Sequence, residues 1–133
     1  MPYQASHRFA RIAPRKARLI MDLVRGRDVD DAIALLKFSK QRASGMIEKV
    51  IRSAVANANE QETANIRNTL YVAKAWADPG PIIKRFQPKD RGKAYPINKR
   101  TSHLVVTIEQ REDGEKAAAP FKSVGARHGK ARQ

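Results

Sequence analysis

The residues with most chemistry to offer are basic, and they fall in two blocks. Arg8, Arg11, Arg15, Lys16, Arg18, Arg25 and Arg27 share residues 1–27 with a single acid, Asp22. Lys84, Arg85, Lys89, Arg91, Lys93, Lys99 and Arg100 share residues 84–100 with Asp90 alone. The stretch between them is neutral, with seven charges of each sign, and the 133-residue chain carries +14. Two concentrated blocks on so basic a chain call for a polyanion that relieves their self-repulsion. Nucleic acid fits best: its phosphates are dense, and counterion release supplies affinity. Arginine suits bidentate phosphate contacts and lysine point-charge neutralisation. Neither block reads as an amphipathic helix with a bulky apolar face, which disfavours an anionic membrane.

Catalytic chemistry finds little support. Cysteine is absent, so disulfides, thiolate nucleophiles and cysteine-based zinc sites are excluded. His7, His103 and His128 are not spaced at i, i+3 or i, i+4 from other ligands, so no metal and no cofactor is expected. No glycine-rich phosphate cradle of the P-loop or dinucleotide type occurs. The acids at 30–31 and 112–115 read as helix-start charge and tail. The expectation is a binding protein, not an enzyme.

The elements that must position the basic blocks can be read from periodicity. Residues 3–12 suit an extended strand. Pro14 suits the first turn of a helix, and Ala17, Ile20, Met21 and Val24 follow at helical spacing until Gly26 stops it. Arg15, Arg18 and Arg25 then lie on the opposite, exposed face. Asp28 is a candidate N-cap for a second helix with Asp30 and Asp31 in its first turn and Val29, Ala32, Ile33 and Leu36 as its stripe. Ser39 is a candidate cap for a third, whose stripe runs Ala43, Met46, Ile47, Val50, Ala54, Ala58. Asn57, Asn59 and the polar stretch 60–65 are expected to end it. Residues 69–77 read as a strand with Leu70, Val72 and Trp76 on one face. Residues 101–109 read as a cleaner one with Leu104, Val106 and Ile108 inward. Leu, Ile, Val and Phe number 28, and 22 of them fall in residues 1–76 and 101–110, so a small core belongs there and nowhere else.

Between the last two strands lie Asp78–Arg100, too long for an ordinary loop in a compact domain. The flanking strands suggest a protruding hairpin with its turn near 88–92, reaching roughly 30 Å at ~3.3 Å per residue. Such an arm has almost no core of its own and is expected to be ordered only when bound. Phe86 and Tyr95 have two open readings: stacking on unpaired bases, or facing each other across the arm to stiffen it. Gly92 allows either close backbone approach or a turn with positive φ. The fold expectation is α+β: three helices on a small three-stranded antiparallel sheet, with a long basic β-hairpin extension. One domain would span 1–111 and include the hairpin at about 78–100, with a flexible tail over 112–133.

Five segments, in order and spacing, resemble a known family. They are Ala13-Pro14-Arg15-Lys16-Ala17-Arg18-Leu19; Ser53-Ala54-Val55-Ala56-Asn57-Ala58; Asp78-Pro79-Gly80-Pro81 with Lys84-Arg85; Gly92-Lys93; and Lys99-Arg100-Thr101-Ser102-His103. From about Ala5 to Arg111 the chain resembles bacterial protein twenty-two of the large ribosomal subunit. The resemblance implies a structural protein that binds 23S rRNA early in assembly, with its body near the exit of the nascent-peptide tunnel. It implies a hairpin threading inward, with Phe86, Gln87, Pro88, Lys89, Asp90, Arg91, Gly92 and Lys93 at the tunnel-lining tip beside the nascent peptide. Carried over, Lys84, Arg85, Gly92, Lys93, Lys99, Arg100 and His103 occupy matching places. Lys89 stands where Arg is usual and Asp90 where a small residue is usual. Pro96 is also unusual and predicts an irregular returning arm. Partners implied are 23S rRNA and neighbouring large-subunit proteins, with no membrane and no stable homo-oligomer.

Three other classes compete with this reading. A DNA-binding protein would send its first or third helix into the major groove, but the third is too neutral and alanine-rich, and the arm would need another purpose. An RNA-processing enzyme would need a catalytic constellation. A protein-docking module would need a partner motif. The opening residues lack the apolar stretch of a secretory signal, and a cytoplasmic protein is expected.

Overall fold

A computed structural model describes residues 2–61 and 70–111. The chain runs β1 (Tyr3–Ala10), α1 (Pro14–Val24), α2 (Val29–Phe38), α3 (Arg42–Gln61), β2 (Leu70–Pro88) and β3 (Ala94–Gln110). The three strands form one antiparallel sheet in the order β1-β3-β2. The architecture is the expected α+β: three helices on a three-stranded antiparallel sheet, with β2 and β3 continuing into the hairpin. The expected tail over 112–133 lies outside the described residues, as does the 62–65 part of the stretch expected to end α3.

The core follows the helical stripes. Ala17, Ile20, Met21 and Val24 of α1 are buried, as are Val29, Ala32 and Leu36 of α2, with Ile33 packed against them. From α3, Ala43, Ile47, Val50, Ile51, Ala54, Val55 and Ala58 join them. The sheet contributes Tyr3, Ala5, Leu70, Val72, Leu104, Val106 and Ile108. Small alanines down α3 let it lie close to the sheet. Gly26, at φ +82, ends α1 as its position predicts.

Register explains where spacing misleads. Val72 pairs with Ile108 but Lys74 with Thr107, so Ala73 is an extra residue in β2. One extra residue reverses which face the following side chains occupy. Ala75 and Ala77 therefore turn inward, and Trp76 does not share the inner face with Leu70 and Val72. It is half-buried on the opposite side, where its Nε1–H donates to Asp78 Oδ2 at 3.1 Å.

Four polar residues also depart from their expected uses. Ser39 is the C-cap of α2 and does not begin α3; its Oγ accepts the Gln41 N–H at 3.4 Å, and α3 starts at Arg42. Asp28 occupies the N-cap position of α2 but makes no side-chain cap bond. Its carboxylate instead takes Arg111 at 2.9 Å, and that guanidinium lies 4.8 Å from the Tyr71 ring centroid. Asn57 and Asn59 lie inside α3, and Asn57 Nδ2–H donates to the Gln4 carbonyl of edge strand β1 at 3.2 Å. At Asp28 a charged partner, and at Asn57 an open edge carbonyl, takes the side chain that a local cap would use.

The hairpin strands pair from Ile82↔Arg100 to Pro88↔Ala94, continuous with the body sheet. In one respect the arm departs from expectation. Pro96 causes no irregularity: the register is unbroken through Phe86↔Pro96. An antiparallel ladder turns every second N–H of a strand away from its partner, and proline at such a position costs no ladder bond. The break lies instead at the arm's root, where Gly80 and Pro81 oppose the single residue Thr101. Thr101 Oγ1–H donates to the Pro81 carbonyl at 2.6 Å, and a Cβ on Gly80 would stand 2.6 Å from the same oxygen, Thr101 Oγ1.

Gly80→Ala is accordingly expected to destabilise the protein by about 1–3 kcal/mol through overpacking, read as a lower urea midpoint. Thr101→Ala loses the bond to Pro81. The double variant should be less destabilised than the sum of the singles, because the oxygen that the new methyl meets is gone.

Candidate nucleic-acid interface

All seven basic side chains of the second block are exposed on the hairpin. The register assigns them to faces, because directly opposed residues of a ladder share one. One face carries Lys84 and Arg100, with Phe86 opposite Pro96; the other carries Arg85 and Lys99, with Gln87 opposite Tyr95. Both faces are therefore basic, and each has one aromatic ring. Phe86 and Tyr95 point to opposite sides and do not stiffen the arm by facing each other. They are 74% and 46% exposed, which leaves both rings free to stack on a partner. Charge on both faces suits an arm surrounded by polyanion better than one lying on a flat surface.

The tip is a tight turn. Lys93 N–H donates to the Asp90 carbonyl at 2.8 Å, and Lys89 N–H to the Lys93 carbonyl at 3.2 Å. Arg91 and Gly92 have φ +42 and +76, the sign that type I′ turns require at both central positions. No atom lies within 4 Å of where a Gly92 Cβ would stand. Glycine is thus needed there for backbone conformation, not for close approach within the chain. Asp90 serves the turn through its carbonyl. The turn holds Lys89, Arg91 and Lys93 together at the end of the arm.

The first basic block divides in two. Arg8, Arg11, Arg15 and Lys16 are exposed on β1, the following turn and the start of α1. Arg18, Arg25 and Arg27 are bonded within the chain. Arg18 Nε–H donates to the Ala77 carbonyl at 3.2 Å, and Arg25 donates to the Ala75 carbonyl at 2.5 Å and to Asp22 at 2.9 Å. Arg27 Nε–H donates to the Leu23 carbonyl at 2.8 Å. Main-chain bonds from Gly26 N–H to the Val72 carbonyl and from Val72 N–H to the Arg27 carbonyl complete the seam. Helix periodicity puts Arg18 and Arg25 opposite the core stripe. It gives no sign that this face meets the outer edge of β2.

His103 also has an internal task. It is half-buried, and its Nδ1 accepts the Phe9 N–H at 3.0 Å. Phe9 lies in the left-handed region at φ +57. Its register explains why: His7 pairs with Leu104 and Ala10 with Ser102, so Arg8 and Phe9 together oppose His103. For so bulky a residue that conformation costs about 1–3 kcal/mol. Residue spacing carries no signal for this bulge, which shows only in the pairing.

Comparison with known proteins identifies the family. The family model described as ribosomal protein L22p/L17e matches residues 5–109. Large ribosomal subunit protein uL22 of Lacticaseibacillus casei is 50% identical over 108 residues, covering 81% of this chain and 92% of the relative. The protein of that name from Lactobacillus helveticus is 49% identical over 110 residues, covering 83% and 93%. That from Thermoanaerobacter pseudethanolicus is 46% identical over 112 residues, covering 84% and all of the relative.

Gly92→Ala should cost about 1–2 kcal/mol locally, because alanine must adopt the left-handed conformation. The expected readout is faster hydrogen exchange at the Lys89 and Lys93 amides with the body's melting temperature unchanged. Arg25→Ala acts in the opposite place. It removes the bond to the Ala75 carbonyl and should lower body stability by about 1–2 kcal/mol, read by urea denaturation.

Proposed function

We infer a role in translation from one premise: this chain belongs to the ribosomal protein L22p/L17e family. It is a structural constituent of the large ribosomal subunit and not an enzyme. Beyond that, it binds 23S rRNA, with residues 1–111 acting as one RNA-binding unit, and supports early assembly of the subunit. The hairpin inserts between rRNA segments and brings its tip to the nascent-peptide tunnel, while the body sits near the tunnel exit beside neighbouring ribosomal proteins.

The observation that supports insertion is the distribution of charge over both faces of the arm. Lys84 and Arg100 on one side, and Arg85 and Lys99 on the other, would neutralise phosphates that otherwise repel one another across the gap. The turn would present Lys89, Arg91 and Lys93 at the far end. On the body, Arg8, Arg11, Arg15 and Lys16 are the residues free for phosphate. Arg18, Arg25 and Arg27 act mainly by fastening α1 to β2, with their remaining guanidinium hydrogens available outward. His103 serves the root of the arm.

Replacing Lys84, Arg85, Lys99 and Arg100 together by glutamine should weaken binding to transcribed 23S rRNA. The salt slope should fall by about one for each phosphate that the arm ceases to neutralise. Sucrose gradients of cells carrying this variant should show incomplete large subunits. Unchanged affinity and slope, with normal particles, would reject insertion of the arm.

A further inference from the structure

Phe9 is held in a conformation that glycine normally takes at a bulge, yet little of the expected return is visible. A ring turned out of a ladder ordinarily gains burial, but Phe9 remains 58% exposed. Its position is nevertheless well braced. The Phe9 N–H is bonded to His103 Nδ1, and the two rings meet edge to face, with centroids 4.9 Å apart and planes at 87°. The Arg8 guanidinium lies 5.6 Å from the Phe9 centroid. With Nδ1 accepting, the proton of neutral His103 resides on Nε2. His103 is itself fixed in the root of the arm, its Cε1 only 3.4 Å from where a Gly80 Cβ would stand. A strained, braced and exposed aromatic in a block of net +6 has the form of a recognition element.

We propose that Phe9 is a stacking platform for one unpaired base of the large-subunit rRNA, held in place by His103 and Arg8. This rests on the rRNA-binding reading and adds a base contact to it. A base offers its flat face to the ring, and the exposed Arg8 and Arg11 neutralise the phosphates on either side. An apolar protein partner suits the place less well, because Ser6, Arg8 and Arg11, close to Phe9 in the chain, are exposed and polar or charged. The platform lies at the root of the arm, so it anchors the RNA strand where the hairpin leaves the body.

The test uses the full chain and transcribed 23S rRNA, with filter binding across a salt series. Phe9→Leu keeps an apolar side chain but removes the aromatic face. Phe9→Gly also removes it and relieves the backbone. Phe9→Tyr keeps it. The leucine and glycine variants should bind about 5- to 150-fold more weakly, the range for removal of one base stack. Their salt slope should be unchanged, because every phosphate remains neutralised. The tyrosine variant should bind as the parent does, and the glycine variant should be at least as stable. Ultraviolet cross-linking of the parent complex should leave a nucleotide on the peptide containing Phe9. Parental binding by the leucine and glycine variants would overturn the platform alone, as would weaker binding that comes with a shallower salt slope. Failure of the parent chain to bind the rRNA would overturn the platform and the RNA-binding reading together.

Discussion

Antiparallel pairing to β3 is the constraint on which the rest depends. β3 is the central strand, paired to β1 and β2 in the body and to β2 alone along the arm. Every insertion falls on a partner strand: at Arg8–Phe9 in β1, at Ala73 in β2, and at Gly80–Pro81 in β2. Each extra residue changes which way the following side chains point while β3 keeps its alternation. Together they set the inward turn of Ala75 and Ala77, the outward turn of Phe9, and the junction between body and hairpin. The sheet is therefore a uniform strand read against two irregular ones.

A three-stranded sheet has two exposed edges, and an open edge invites pairing with another chain. Here each edge of the body sheet takes bonds from another element. Asn57 of α3 donates to a carbonyl of β1, and α1 with the residues just after it donates to those of Val72, Ala75 and Ala77 in β2. Three of the seven cations of the first block thus help to hold the fold, although Arg18 and Arg25 remain exposed. The second block has no such duty. Division of a basic sequence into fastening and free residues is the main thing that the charge pattern by itself conceals.

The fold class was legible because periodicity survives packing. The stripe of α1, the stop at Gly26, the alternation of β3 and the turn at Gly92 all follow from local rules, and the structure obeys them. Expectation and structure part for separate reasons. A one-residue bulge in β2 turns Trp76 outward, Arg111 draws Asp28 across 83 positions, and Ser39 ends α2 before α3 begins at Arg42. Pro96 looked disruptive because spacing does not say which N–H groups a ladder leaves outward. In the interface, the hairpin cations were evident from composition. The internal engagement of Arg18, Arg25 and His103 was not, since it depends on which edge a helix meets.

The bulge at Gly80–Pro81 also makes the hairpin a lever. Seven paired residues on each strand extend beyond it, about 23 Å at ~3.3 Å per residue. A rotation of about 5° at that fulcrum would carry the tip sideways by about 2 Å over that span, enough to exchange one set of polar contacts for another. The short bond from Thr101 to Pro81 and the absence of a side chain at residue 80 set how tightly the joint closes. Aim at the far end of the arm is thus governed by a few atoms at its near end, none of which carries charge.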